Sequence, residues 1–267
     1  MQVLASLRLA PVQCQTLGHP ISSCLRNIDY FISSQFMETN GSEKNYSEKL
    51  ITLPDTGQCF EYPKIQTKLK KIKTKKNELI LFNLQSLFKL LPNDDELCLE
   101  LIKNIPNIKI WFMEGKNTKI TKLFEKRMKI LLNKNGLDFK KFIVLNKRRS
   151  QSDFFELVKK SDIILDSLNW SGNCTTHQAI ALDKPVITMP GKYMRARHSY
   201  ALLKKMKLNE LIAYSINDYI KIIKKLKENK KYLEKVILKI NKNKTKLFND
   251  LKPIRSLEKF LIEVTNK

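Results

Sequence analysis

Glycine is scarce in this chain, seven in 267 residues, and histidine is scarcer at three. The five cysteines, Cys14, Cys24, Cys59, Cys98 and Cys174, are odd in number and scattered, with no CxxC pair. A zinc site needs Cys and His ligands at short spacings and a disulfide framework needs paired cysteines, so neither is expected, and the thiols are expected to be reduced. Long apolar runs are missing too. The longest, "IILDSL" and "PVITMP", fall far short of the roughly 20 residues of a membrane helix. The start, "MQVLASLRLAPVQ", lacks the succession of charged, apolar and small residues of a signal peptide. These absences predict a soluble, cytoplasmic protein with no membrane partner.

Acidic residues are in short supply, 26 against 50 lysines and arginines, for a net charge of +24. Such a balance invites a nucleic-acid or anionic-surface partner. Its distribution argues otherwise, because lysine far outnumbers arginine and is spread over nearly every segment. The densest run, "KIQTKLKKIKTKKNE" at 64–78, holds no aromatic residue to stack on bases. It reads as a solvated Lys-rich linker, with a polyanion contact as the alternative.

What is present in quantity is alternation. Between 79 and 213, apolar runs alternate with longer amphipathic stretches, the pattern of βα units around a parallel sheet. "LILFN" (79–83), "NIKIWFM" (107–113), "FIVLN" (142–146), "DIILD" (162–166) and "PVITMP" read as strands. Between them lie a helix capped by Asn93 or Asp94, one stopped by Gly136, one begun by a serine cap, and one from about Thr175 to Leu182. A further helix is expected from about Arg195 to Met206. Residues 1–63 offer one or two strands, too little to close an α/β sheet of their own, and 214–267 read as Lys-rich C-terminal helices.

In an open α/β sheet, ligands sit beyond the carboxyl ends of the strands, where loops lead into helix N-termini. The stretch "DIILDSLNWSGNCTTHQAIAL" has that layout. The free N–H groups of the helix favour an anion, Gly172 permits close approach, and Thr175 and Thr176 add hydroxyls. An ordinary Ser/Thr helix cap accounts for the same residues, and both readings stand at this point. Lys89 follows the first strand of this region, where an ammonium reaches across to a diphosphate on the opposite loop; as one lysine among dozens it is equally a solvated side chain. His177 and His198 are singled out by rarity alone, and so are Arg195 and Arg197 in a Lys-dominated chain.

Together, "LAPVQCQTLGHPISS", "IDYFISS", "YSEKLITLP", "NLQSLFKLLP", "DIILDSLNWSGNCTTHQAIALDKPVITMPG" and "MRARHSYALLKKMKLNELIA" resemble the O-linked N-acetylglucosamine transferase and SPINDLY-type glycosyltransferases, bacterial members most closely. The likeness runs over about residues 8–215 in the same order. It implies a GT-B fold: a Rossmann-like UDP-sugar-binding domain at 79–213, a remnant of a second Rossmann-like domain at 1–63, the linker at 64–78, and helices at 214–267. It implies transfer of a sugar, N-acetylglucosamine first, from a UDP-sugar to Ser or Thr hydroxyls of a protein acceptor, without metal or other cofactor.

By the same resemblance, Gln85, Ser86 and Lys89 correspond to a "QxLxK"-type segment whose lysine neutralises the donor diphosphate, the catalytic role here. Gly172, Asn173, Cys174, Thr175 and Thr176 correspond to the phosphate-holding loop, and Gln178 to an acidic residue near the ribose. The chain departs from the pattern in "GNCTT", in Gln178 and in Asn45, and most of the family's N-terminal catalytic domain has no counterpart here. Two expectations follow: a partner chain supplying that region, or a relative that kept the fold and serves as an interaction or regulatory protein. His19, in "LGHP", falls near the cleft by analogy and reads first as a turn residue.

Overall fold

The computed structural model describes residues 2–65, 78–147 and 150–266. Most of the Lys-rich segment expected at 64–78 therefore lies outside the described residues. Three short strands come first: β1 (Cys14–Thr16), β2 (Tyr30–Ser34) and β3 (Lys49–Leu53). They form a parallel sheet in the order β1-β2-β3. The sequence suggested one or two strands here. The third comes from "KLITL", whose five residues show one fully buried position, too weak a pattern to read before its partner strand is known.

The larger sheet is built from β4 (Leu79–Asn83), β5 (Ile108–Met113), β6 (Ile143–Asn146), β7 (Ile163–Leu165) and β8 (Val186–Ile187). All are parallel, in the order β6-β5-β4-β7-β8. β4 is central and buried over four of its five residues, which is why "LILFN" reads as an unbroken apolar run instead of alternating. The order reverses between β4 and β7, so the loops leaving these two strands diverge and open a crevice at their carboxyl ends.

The helices α1 (Pro92–Asn104), α2 (Thr118–Lys134), α3 (Gln151–Lys160), α4 (Cys174–Ala181) and α5 (His198–Lys205) alternate with or follow these strands. Local chemistry sets their ends. Asn117 Oδ1 accepts the Lys119 N–H at 2.9 Å, Ser150 caps α3, and Gly136 takes φ +68° beyond α2. At α1 the cap differs from expectation. Pro92 occupies the first turn and Asp94 lies inside the helix, where Oδ2 accepts the Leu91 N–H (2.9 Å) and Oδ1 accepts the Leu168 N–H (2.8 Å) from the opposite loop. The helix expected from Arg195 is split at Arg197 into a 3-10 turn, Met194–Ala196, and α5.

Three helices end the chain: α6 (Ile216–Glu228), α7 (Lys230–Asn243) and α8 (Lys252–Thr265). The apolar face of α6 joins the main core through Tyr219, Ile220, Ile223 and Leu226. α8 returns to the small sheet, where Phe260 meets Tyr30 edge-on at 5.0 Å. The small sheet borrows its core as well, since Phe31 and Met37 are buried with Met194 and Ala201 from the segment around α5. Lys205, nearly buried, pairs with Asp250 and with Asp55 at 3.6 Å, tying three distant segments together. Among the described residues, no helix is long and apolar enough to cross a membrane.

The Tyr219 hydroxyl fastens α6 to the sheet. It donates to Ile187 O at 2.7 Å and accepts the Asp166 N–H at 3.1 Å, in full burial. Tyr219→Phe keeps the ring and removes both bonds; urea unfolding is expected to show a loss of about 1–2 kcal/mol.

Candidate functional site

Both loops at the switch point are built by side chains that accept or donate backbone hydrogen bonds. β4 ends at Asn83, whose Oδ1 accepts the Gln85 N–H at 2.9 Å. Gln85 then bridges the crevice: Nε2 donates to Trp170 O at 2.8 Å, while Oε1 accepts the Ser86 N–H at 2.9 Å. A single 3-10 turn, Leu87–Lys89, follows and lifts Lys89 toward the other loop.

That other loop leaves β7 at Asp166, which is fully buried. Its Oδ1 accepts the Gly172 N–H, and its Oδ2 accepts the hydroxyls of Ser171 and Thr188, each at 2.7 Å. Ser199, at the start of α5, completes the clamp. Its N–H donates to Ser171 Oγ (2.8 Å), its hydroxyl donates to Gly172 O (3.1 Å), and Thr176 Oγ1 lies 3.0 Å from it. Gly172 is required by this closeness: a Cβ there would stand 2.6 Å from Thr176 Oγ1 and 3.1 Å from Thr175 Oγ1. Neither Asp166 nor Ser199 is among the sequence-derived candidates. Asp166 was placed only as the last residue of a strand, and Ser199 carries no motif.

Two cavities meet at this loop. One, of about 640 Å³, opens at the carboxyl ends of β4 and β5 and is lined by Ser86, Glu114, Asn117, Phe154 and Gln178 among others. The second, of about 780 Å³, lies between the two sheets and is lined by Lys89, Trp170, Gly172, Asn173 and Cys174 on one side and by His19 and Gln58 on the other. Gln85, Phe88 and Thr175 line both.

The residues expected to bind the donor thus converge, with one exception. Thr176 is 3% exposed, lines neither cavity, and spends its hydroxyl on Ser199. Asn173 precedes α4 but makes no side-chain cap bond, so the first-turn N–H groups lack that partner. The ordinary-cap reading therefore loses its acceptor. Lys89 Nζ sits 4.7 Å above the Trp170 ring, and burial pushes its pKa below the usual lysine value. Its charge is met by that aromatic face, not by a carboxylate among the described residues.

The histidines divide. His177 is buried, its Nδ1 is 3.0 Å from Asn173 O, and its ring lies 4.2 Å from Phe60, so it belongs to the core. His198 is equally buried but lines the cleft. Burial holds both near pKa 4, so both are neutral at pH 7. Of the singled-out arginines, Arg197 donates to Gly191 O at 3.0 Å and Arg195 lies against Tyr193, and neither lines the cleft. Among the described residues, no group of three or more His, Cys, Asp or Glu could hold a metal ion.

Burial also pushes the Asp166 carboxyl up to about 6, against the pull of Thr188, Gly172 and Ser171. The folded protein thus holds this proton more tightly than the unfolded chain, where aspartate titrates near ~3.9. The stabilising contribution is full below the unfolded value and is lost as pH rises through about 6. For Asp166→Asn, which cannot titrate, the stability difference (wild type minus variant) is expected to be larger at pH 5 than at pH 7.5 in urea melts. A difference that does not change with pH would contradict the raised pKa.

Comparison with known proteins places this geometry. Residues 63–253 match the model of glycosyl transferase family 41. The Petunia hybrida SPINDLY protein, described as a probable UDP-N-acetylglucosamine–peptide N-acetylglucosaminyltransferase, is 23% identical over 82% of this chain and 23% of its own length. The Arabidopsis thaliana SEC protein, described in the same words, is 22% identical over 98% of this chain and 27% of its own. The chain therefore spans about a quarter of the length of these relatives. Among solved structures, a mutant of the Thermobaculum terrenum O-GlcNAc transferase superposes with a TM-score of 0.81 at 20% identity, covering 96% of this chain and 49% of that one. Sucrose-phosphate synthase from Thermosynechococcus elongatus gives 0.64 at 12% identity, covering 90% and 59%. These likenesses identify the α/β fold as GT-B, and the match over residues 63–253 establishes that the chain belongs to glycosyl transferase family 41.

Proposed function

We propose that this chain forms the donor-binding part of a UDP-sugar-dependent protein O-glycosyltransferase, with N-acetylglucosamine the sugar transferred and Ser or Thr hydroxyls the acceptors. The observation that carries the reading is the junction of two cavities at the N-terminus of α4, with Lys89 facing it from the other loop. A nucleotide sugar is a ligand of matching form: two uncharged ends joined by a diphosphate. In this reading the nucleoside occupies the pocket of Ser86 and Gln178, and the sugar enters the cleft between the sheets. The diphosphate lies over Gly172, Asn173, Cys174 and Thr175. The names of the relatives support the same donor and acceptor classes.

Chemistry follows from charge. As the acceptor hydroxyl displaces UDP from the anomeric carbon, negative charge grows on the diphosphate. The α4 N–H groups, the Thr175 hydroxyl and the Lys89 ammonium are fixed donors for that charge. Lys89 suits the task because it is partly desolvated and has no competing carboxylate partner among the described residues. Thr176 contributes indirectly, by holding Ser199 against the loop.

Calorimetry with UDP, and with ADP as a control, at about 150 mM salt tests this. UDP is expected to bind selectively, and Lys89→Ala to weaken it about tenfold to a hundredfold, the worth of a charge-assisted contact. A folded chain that ignores UDP would instead indicate a relative retained for interaction. Binding that collapses with salt and ignores Lys89→Ala would indicate a polyanion surface. Gly172→Ala gives a second check. Its Cβ would displace the hydroxyls of Thr175 and Thr176, so UDP affinity is expected to fall while the circular dichroism spectrum is unchanged.

A further inference from the structure

Among the described residues that line the cleft, four buried polar atoms have no hydrogen-bond partner: Nε2 and Oε1 of Gln58, Nδ1 of His198, and Oδ1 of Asn173, the last in the loop assigned to the diphosphate. Gln58 is 8% exposed and His198 3%. They reach the cavity from different halves of the molecule. Gln58 lies in the turn that leaves β3, directly after Gly57. That glycine has φ +65°, and a Cβ on it would stand 2.7 Å from Ser34 Cβ, so the turn is held tightly against the end of β2. His198 opens α5, and its position is set by the neighbouring Ser199, whose N–H and hydroxyl are both bound to the Ser171–Gly172 loop. Neither side chain belongs to the sequence-derived donor set.

Buried polar atoms without partners are costly, and two such groups lining one cavity, each on a rigid support, have the form of a preorganised recognition site. The chemistry of the pair indicates its ligand. A carboxamide is neutral and offers a donor and an acceptor side by side. His198 is neutral as well, since burial first and then the positive charge of Lys89 oppose its protonation. Neutral groups with both donor and acceptor capacity match hydroxyl and amide groups better than phosphate, which suits the Lys89 ammonium and the α4 N–H groups.

We propose that Gln58 and His198 are specificity-determining residues that hydrogen-bond the hydroxyl and acetamido groups of the donor's hexose ring. This rests on the donor-site reading above, so the test separates the two. Affinities of the whole chain for UDP, UDP-glucose and UDP-N-acetylglucosamine are measured by calorimetry for wild type, Gln58→Met, His198→Leu and His198→Gln. The expected result is UDP affinity within about twofold of wild type in every variant. Affinity for UDP-N-acetylglucosamine falls roughly fivefold to thirtyfold in Gln58→Met and His198→Leu, and recovers in part in His198→Gln. The urea midpoints of the empty Gln58→Met and His198→Leu chains match or exceed wild type, because an unpartnered buried polar group has been replaced by an apolar one. Sugar-nucleotide affinities that follow UDP unchanged overturn this proposal alone. Lower urea midpoints with parallel losses for UDP and UDP-sugars overturn it too, by assigning the pair a structural role. A wild-type chain that does not bind UDP overturns the donor-site reading and this inference with it.

Discussion

A buried carboxylate governs the shape of the site. Asp166 follows the strand beside the point where the sheet order reverses, and among the described residues its hydrogen-bond donors are uncharged, the Gly172 N–H and the hydroxyls of Ser171 and Thr188 among them. Burying a charged group without a cation is expensive, and the raised pKa reports that cost. The return is geometric. One side chain holds the loop from Ser171 to Gly172 folded back over its own strand, and the loop in turn delivers the N-terminus of α4 to the crevice. Ser199 and Tyr219 extend the same network into α5 and α6, so the C-terminal helices depend on it as well.

The cleft exists because the small sheet cannot stand alone. Its buried face is completed by Met194 and Ala201, its flank by Phe260 on α8, and its turn at Asp55 by the Lys205–Asp250 pair. Apolar burial and one nearly buried ion-pair cluster therefore set the distance between the two sheets, and with it the width of the cavity. A buried ion pair adds little net stability, yet it penalises any arrangement in which one partner is left alone, which favours a single register of the two halves.

The cleft holds both charged and neutral chemistry. Lys89 over the Trp170 face, together with the uncapped first turn of α4, supplies the charged part. The neutral side chains of Gln58 and His198 line the same cavity from the small sheet and from α5. The difference in charge has a physical origin. A lysine can stay ionised only where some solvent or an aromatic face meets its charge, whereas an imidazole as buried as His198 remains neutral.

Much of this was legible in the sequence. The strands at 79–83 and 107–113, the stop at Gly136 and the serine cap of α3 follow from local patterns, because the burial period and the cap chemistry are properties of neighbouring residues. The convergence of Lys89 and Thr175 was readable because loops at the carboxyl ends of parallel strands must share one edge, whereas Gln85 followed from the family resemblance. Other features depend on residues far apart in the chain. The strand from "KLITL", the inward turn of Thr176, the place of His177 beside Phe60 and the sharing of one cavity by Gln58 and His198 all depend on which surfaces touch after folding. Sequence determined the helices and the strongly apolar strands, since their caps and burial patterns are set by neighbouring residues. Tertiary structure alone decided which polar groups became buried and which of their residues line the cleft, because burial is a property of the assembled surfaces.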